Sequence, residues 1–257
     1  SIGFSMDLES RKGKAPGGYQ TTFEEARIPF IFTNAVGLYD DVNTLLHEGG
    51  HAFHTIACRH RDLPWYRHAP MEFSEVASMS MELVGGEFLD PFFADPASLE
   101  RAAREKLEGV VSLFGWVATV DAFQSWLYTH PAHTEKERGD YWMALLDRFD
   151  TGVDYTGLPE GVRRHQWHRQ LHIFEVPFYY IEYAIAQLGA LQVWARYNEN
   201  PRQALDDYLA ALSLGGSVPP GALFAAAGIR FDFTEATLGG LMERVADKLG
   251  LHATEDE

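Results

Sequence analysis

Residues 40–59 read DDVNTLLHEGGHAFHTIACR, and the rest of the chain is organised around this stretch. Val42, Leu45, Leu46, Phe53 and Ile56 recur at the spacings of one buried helical face, and Asp40 or Asp41 is placed to cap its start. The pattern predicts a helix that runs to about Arg59. In its middle lies His47-Glu48-Gly49-Gly50-His51, a His-Glu-x-x-His motif in the helical context its chemistry requires. Four helical steps return a side chain to within about 40° of the same direction, one turn along, so both imidazoles can reach one tetrahedral ion. Glu48 lies about 100° around, beside such an ion rather than on it.

Two imidazoles and a carboxylate form the usual hydrolytic zinc site, with a fourth position open to a water whose pKa falls to about 7. One Zn2+ per chain is therefore expected. Glu48 is the candidate base that takes the water's proton and passes it to a leaving amine. Gly49 and Gly50 each cost the helix on the order of 1 kcal/mol relative to alanine. Either a neighbouring backbone or substrate approaches closely there, or the glycines relieve crowding against a packed neighbour.

A third ligand has to come from elsewhere, and the next helical pattern, after Pro70 and ending near Gly85 and Gly86, offers Glu72, Glu75 and Glu82. Glu75 is preferred. The 23 residues between it and His51 give the chain room to turn and lay a second helix beside the first, and Phe73, Val76 and Met79 supply apolar packing. An ordinary surface carboxylate is the alternative reading of Glu75. His54 follows His51 on the same face, but three ligands along one rigid helix stand too far apart to surround one ion. It is read as a residue that supports the ligands from behind or as a hydrogen-bonded packing residue.

Elsewhere, residues 1–18 are rich in glycine and charge and read as a loop, and 28–33 read as a strand or extended edge interrupted by Pro29. Helices are predicted over 96–128, continuous or with one break, and over 136–150, 161–170, 177–198, 201–214 and 234–249. The expected fold is mainly α, one globular unit over 1–257, with a small β-sheet near the N-terminus beside the helix that bears His47. Low complexity is confined to the acidic run 254–257.

Composition narrows the function classes. Of 257 residues 46% are hydrophobic, enough for a sizeable core, so disorder is excluded. The formal net charge is −16, and the basic residues form short local groups, as at 11–14, 59–61 and 163–169, rather than an extended stripe, so nucleic acid is not an expected partner. Cys58 is the only cysteine, which rules out an intrachain disulfide and leans towards a cytoplasmic setting. The longest apolar runs read as too short and too interrupted by charge to span a bilayer, so no membrane partner is expected.

Taken together, the stretches 13–19, 47–54, 73–78 (Phe-Ser-Glu-Val-Ala-Ser), 172–183 (His-Ile-Phe-Glu-Val-Pro-Phe-Tyr-Tyr-Ile-Glu-Tyr) and 212–217 resemble the oligoendopeptidase F and thimet oligopeptidase family of zinc metallopeptidases. The resemblance covers nearly the whole chain. It implies a zincin-like helical catalytic domain and a metalloendopeptidase that hydrolyses internal bonds of oligopeptides, with His47, His51 and Glu75 on zinc and Glu48 as base. It further implies that His172, Tyr180 and Tyr183 face the metal and stabilise the tetrahedral intermediate. Read from spacing alone, Tyr179, Tyr180 and Tyr183 fit equally well as core residues of a helix after Pro177. His165 and His168 read as surface residues, with contact to a peptide carboxylate as the alternative, and the resemblance implies that the 28–33 strand with Gly17 and Gly18 pairs with an extended substrate.

Members of that family generally carry a further N-terminal helical region, which this sequence lacks. Two rival functions follow: a catalytically incomplete zinc-binding domain that needs that half, or a zinc hydrolase of another amide substrate. A purely structural zinc site would normally close its fourth position with a protein ligand, typically cysteine, and Cys58 stands alone.

Overall fold

The structure, a computed structural model, describes residues 5–149, 152–159 and 161–251; the acidic run 254–257 lies outside them. In chain order the elements are β1 (Ser5–Glu9), β2 (Tyr19–Phe23), β3 (Ile28–Ala35), α1 (Tyr39–Cys58), α2 (Met71–Gly85), α3 (Pro96–Thr129) and α4 (Glu135–Arg148). The short helices α5 (Gly161–Arg164) and α6 (His172–Glu175) follow, then α7 (Ile181–Glu199), α8 (Pro201–Leu212), α9 (Pro220–Ala226) and α10 (Glu235–Leu249). The fold is mainly α with one three-stranded sheet, as expected. The chain divides into two compact units, one of Ser1–Leu107 with Ile185–Glu257 and one of Glu108–Ala184.

In the first unit β3 is the central strand, parallel to β1 (Met6 opposite Ile31) and antiparallel to β2 (Tyr19 opposite Phe32). Pro29, Ile31 and Thr33 alternate inward along β3, the period of a strand with one covered face. Two expectations change here. Residues 5–9 form a strand rather than part of a loop, with Asp7 clamped by Arg11 and Lys14. β3 lies between β1 and β2, so it is not the edge of the sheet at which a substrate was expected to pair; β2 is at the edge.

α1 packs on β2 and β3, and α2 packs on α1. Asp41 does not occupy the capping position; Leu38 does. From the first turn the Asp41 carboxylate reaches back and accepts the N–H groups of Val36, Gly37 and Leu38 at 2.7–2.8 Å, satisfying donors the incoming chain would leave bare. Phe73, Val76 and Ala77 of α2, Ala52 and Cys58 of α1, Leu188, Ala190 and Leu191 of α7, Leu212 of α8 and Phe224 of α9 are buried and form the core of this unit. Tyr208 of α8 donates its hydroxyl to the Ala77 carbonyl at 2.7 Å, a buried brace on the middle of α2.

In the second unit Val120 and Phe123 of α3, Trp142 and Leu145 of α4, Trp167 and Ile173 form the core, with the Phe123 and Trp142 rings 5.0 Å apart. α3 is unbroken over 34 residues, the continuous one of the two forms the sequence left open. Contrary to the reading of its apolar runs, it also holds an 18-residue window of mean hydropathy 1.2, long and apolar enough by those measures to cross a membrane. A third of that window is buried. The predicted 161–170 helix is α5 followed by a tight turn over Gln166–Arg169. The helix predicted from Pro177 begins only at Ile181, because Phe178 takes a left-handed conformation (φ +63°) that no helix continues through.

Candidate active site

The first unit brings His47, His51 and Glu75 together. His47 Nε2 lies 3.4 Å from Glu75 Oε2 and His51 Nε2 lies 3.8 Å from Glu75 Oε1, and the imidazole rings stand nearly perpendicular with centroids 4.9 Å apart. One donor atom from each residue lies within 4.8 Å of the others. A zinc ion about 2.1 Å from each of three tetrahedral donors needs them roughly 3.3 Å apart, so this set fits the ion with small side-chain adjustments. Glu72 and His54 stand outside the group.

Close helix packing puts Glu75 there. A Cβ on Gly50 would lie 2.6 Å from the Ala77 carbonyl oxygen and 2.6 Å from Ser78 Cα, so only glycine lets α1 and α2 meet at this height. Gly49 has nothing within 4 Å of such an atom. Of the two explanations for the glycine pair, close backbone approach accounts for Gly50 alone. Ser78 donates its hydroxyl to Glu75 Oε2 at 2.8 Å, fixing the carboxylate's orientation.

The electrostatics follow from burial and charge. Burial pushes His51 down to about 3, with the His47 charge adding to the effect, which favours the neutral imidazole that ligates metals. Glu48 is 6% exposed, and burial raises its carboxyl above the usual carboxylate range, against the opposing pull of His47 and of a backbone hydrogen bond from Gln20. Its Oε1 faces the loop before β2, 3.8 Å from where a Cβ of Gly18 would stand. His47 Nδ1 lies 2.6 Å from Glu82 Oε1, and Lys106 Nζ pairs with Glu82 Oε2. Burial alone would raise Glu82, but the His47 hydrogen bond and the Lys106 charge outweigh it and hold the carboxyl below its usual range.

His54 is 5% exposed, edge-on to Phe73 at 6.2 Å, and burial pushes it down to about 4. It packs beside the site, but its buried Nε2 has no hydrogen-bond partner among the described residues, where a hydrogen-bonded packing residue was expected. Beside His51 a cavity of about 300 Å³ is lined by polar side chains that include Gln20, Thr22, Thr55 and Arg67, with the Thr22 and Thr55 hydroxyls 3.0 Å apart.

The second unit gathers His172, Tyr180 and Tyr183. The Tyr180 ring stands edge-on to His172 at 4.9 Å and 5.2 Å from Tyr183, whose hydroxyl is 3.4 Å from His172 Nε2. Trp116 Nε1–H donates to Gln170 Oε1 at 3.1 Å, which fixes the amide so that its NH2 group donates to His172 Nδ1 at 2.6 Å. The proton of neutral His172 is therefore on Nε2, and burial keeps the ring neutral by lowering its pKa. Tyr180 also packs against the core of this unit, as the core reading of the tyrosines expected. His165 and His168 are exposed, as expected, and stack on each other at 5.3 Å.

Sequence reasoning missed the supporting residues. Glu82 was weighed only as a ligand, although its position two helical turns after Glu75 places both on one face of α2. Ser78, three residues after Glu75 on α2, carries a local signal that went unread, whereas Lys106 carries none.

Comparison with known proteins adds an independent line. The profile of peptidase family M3 matches residues 3–243. The chain is 26% identical over 231 residues to oligopeptidase PepF of Bacillus subtilis, covering 87% of this chain and 33% of that protein. It is 24% identical over 224 residues to an oligoendopeptidase F homolog of Borreliella burgdorferi, covering 84% and 36%. The chain thus spans about a third of the length of these curated relatives. Among solved structures it is similar to PZ peptidase A with an inhibitor, at 34% identity and a TM-score of 0.85, covering 96% of this chain and 44% of that one.

Proposed function

The chain belongs to peptidase family M3, and from that premise we propose that it forms the catalytic part of a zinc metalloendopeptidase that hydrolyses internal bonds of oligopeptides. The observation that carries the reading is the convergence of His47 Nε2, His51 Nε2 and the Glu75 carboxylate, with Glu48 buried beside them. Those three residues would hold one Zn2+. Bound there, zinc would supply Lewis-acid polarisation of the scissile carbonyl and of the attacking water.

The chain's own residues do the rest. Glu48, with a carboxyl raised by burial, takes the water's proton and returns it to the leaving nitrogen. His172 offers an Nε2–H, and Tyr180 and Tyr183 offer phenolic hydroxyls, as donors to the developing oxyanion. Their mutual packing and the tautomer set by Gln170 support that role, as does the resemblance carried by residues 172–183. Losing one such donor costs about 3 kcal/mol of barrier. The polar cavity beside His51 suits the backbone amides of an extended oligopeptide.

Glu48→Gln tests the reading, because it keeps the shape and removes the base. The variant is expected to hold zinc as tightly as the parent and to lose turnover by at least about 100-fold. Near-normal turnover would overturn the mechanism. The chain's short span relative to its relatives favours one second reading, that residues beyond it are needed for turnover; zinc binding without peptide cleavage would support that reading.

A further inference from the structure

Resting on the metal reading above, we propose that Glu82 and Lys106 form a positioning pair that sets His47 for metal binding: Glu82 accepts the Nδ1–H of His47, and Lys106 holds Glu82 in place. Glu82 is buried, and each of its oxygens has one partner, Oε1 at 2.6 Å from His47 Nδ1 and Oε2 on Lys106 Nζ. A proton on Nδ1 leaves the lone pair on Nε2, the nitrogen that faces Glu75. The tautomer required of the ligand is thus dictated from behind the ring.

The arrangement uses α2 twice. Glu75 and Glu82 lie two turns apart on one face, about 10.5 Å along the axis, and the imidazole of His47 lies between their carboxylates with one nitrogen towards each. Lys106 comes from α3 along a cavity of about 270 Å³ walled by Leu83, Leu99, Leu107 and Trp194. Glu87, Asp90 and Glu100 line the same cavity, and the carboxylate that Lys106 Nζ pairs with is that of Glu82. Glu82 is then excluded as the third ligand, because its oxygens are already taken on the Nδ1 side of His47.

The test is zinc affinity, measured in the intact protein by competition with a chromogenic chelator, alongside the thermal melt of each metal-free form. Glu82→Leu is expected to weaken zinc binding about 10- to 100-fold. Glu82→Gln, whose carbonyl still accepts from Nδ1–H, recovers most of that loss, and Lys106→Met falls between the parent and Glu82→Leu. If the leucine variant fails to fold, the double variant Glu82→Leu/Lys106→Met, which leaves no unpaired buried charge, takes its place. Parent-like zinc affinity in a folded Glu82→Leu or double variant would overturn the proposal, and parent-like affinity in Lys106→Met would remove Lys106 from it. A parent protein that binds no zinc would instead refute the metal reading on which the pair depends.

Discussion

Gly50 of α1 and Ala77 of α2 meet so closely that a single methyl group on Gly50 would lie 2.6 Å from the Ala77 carbonyl oxygen. That contact sets the distance between the helix that carries His47 and His51 and the helix that carries Glu75. Overpacking it forces a backbone shift, which costs about 1–3 kcal/mol. Gly50→Ala is therefore expected to destabilise the protein by that amount and to weaken zinc binding, while Gly49→Ala gains up to about 1 kcal/mol of helix stability and leaves the metal site alone. Denaturant unfolding and zinc titration of the two variants separate these outcomes. Equal behaviour would contradict the helix-contact account.

The tautomer of His172 depends on one amide. Replacing Gln170 with leucine removes the donor to Nδ1 and frees the ring to place its proton on either nitrogen. A lost hydrogen bond of this kind is worth about 1 kcal/mol, so kcat is expected to fall roughly fivefold with KM and zinc content little changed. Steady-state kinetics on an internally quenched oligopeptide check this. An unchanged kcat would detach Gln170 and the His172 tautomer from turnover.

Acid is expected to unfold the metal-free protein early, and His54 is one reason. Its folded pKa of about 4 lies below the 6.5 of an unconstrained histidine because burial penalises the charged ring. The unfolded chain then binds a proton that the folded chain refuses. The resulting stability is fully present above about pH 6.5 and is lost as pH falls towards 4, amounting to on the order of 3 kcal/mol. His51, with a folded value of about 3, acts in the same direction. Denaturant midpoints measured from pH 7.5 to 4 are expected to fall less steeply in His54→Leu than in the parent. Parallel slopes would show that His54 protonates freely in the folded state.

Much of this site is legible in the sequence because helical spacing is short-range physics. His47 and His51 share a face by arithmetic, and Glu75 follows once the next helix is laid beside the first. Glu82 was visible as a candidate, but its role was not, since the choice between metal and imidazole depends on which nitrogen of His47 faces α2. Lys106 reaches Glu82, and Trp116 reaches Gln170, through tertiary packing that no local pattern encodes. The same limit hid β1, a half-polar segment whose pairing with β3 is long-range. It also misplaced the start of α7, where the left-handed Phe178 overrides a favourable helical pattern.

The central claim, a zinc site that drives peptide hydrolysis, is tested most directly by one cycle of measurement. Zinc content is determined by elemental analysis, and cleavage of an internally quenched oligopeptide is followed before chelation, after chelation and after zinc is restored. The account predicts one zinc per chain, cleavage that disappears when the metal is stripped, and recovery when zinc is returned. Cleavage that persists in fully metal-free protein would contradict it.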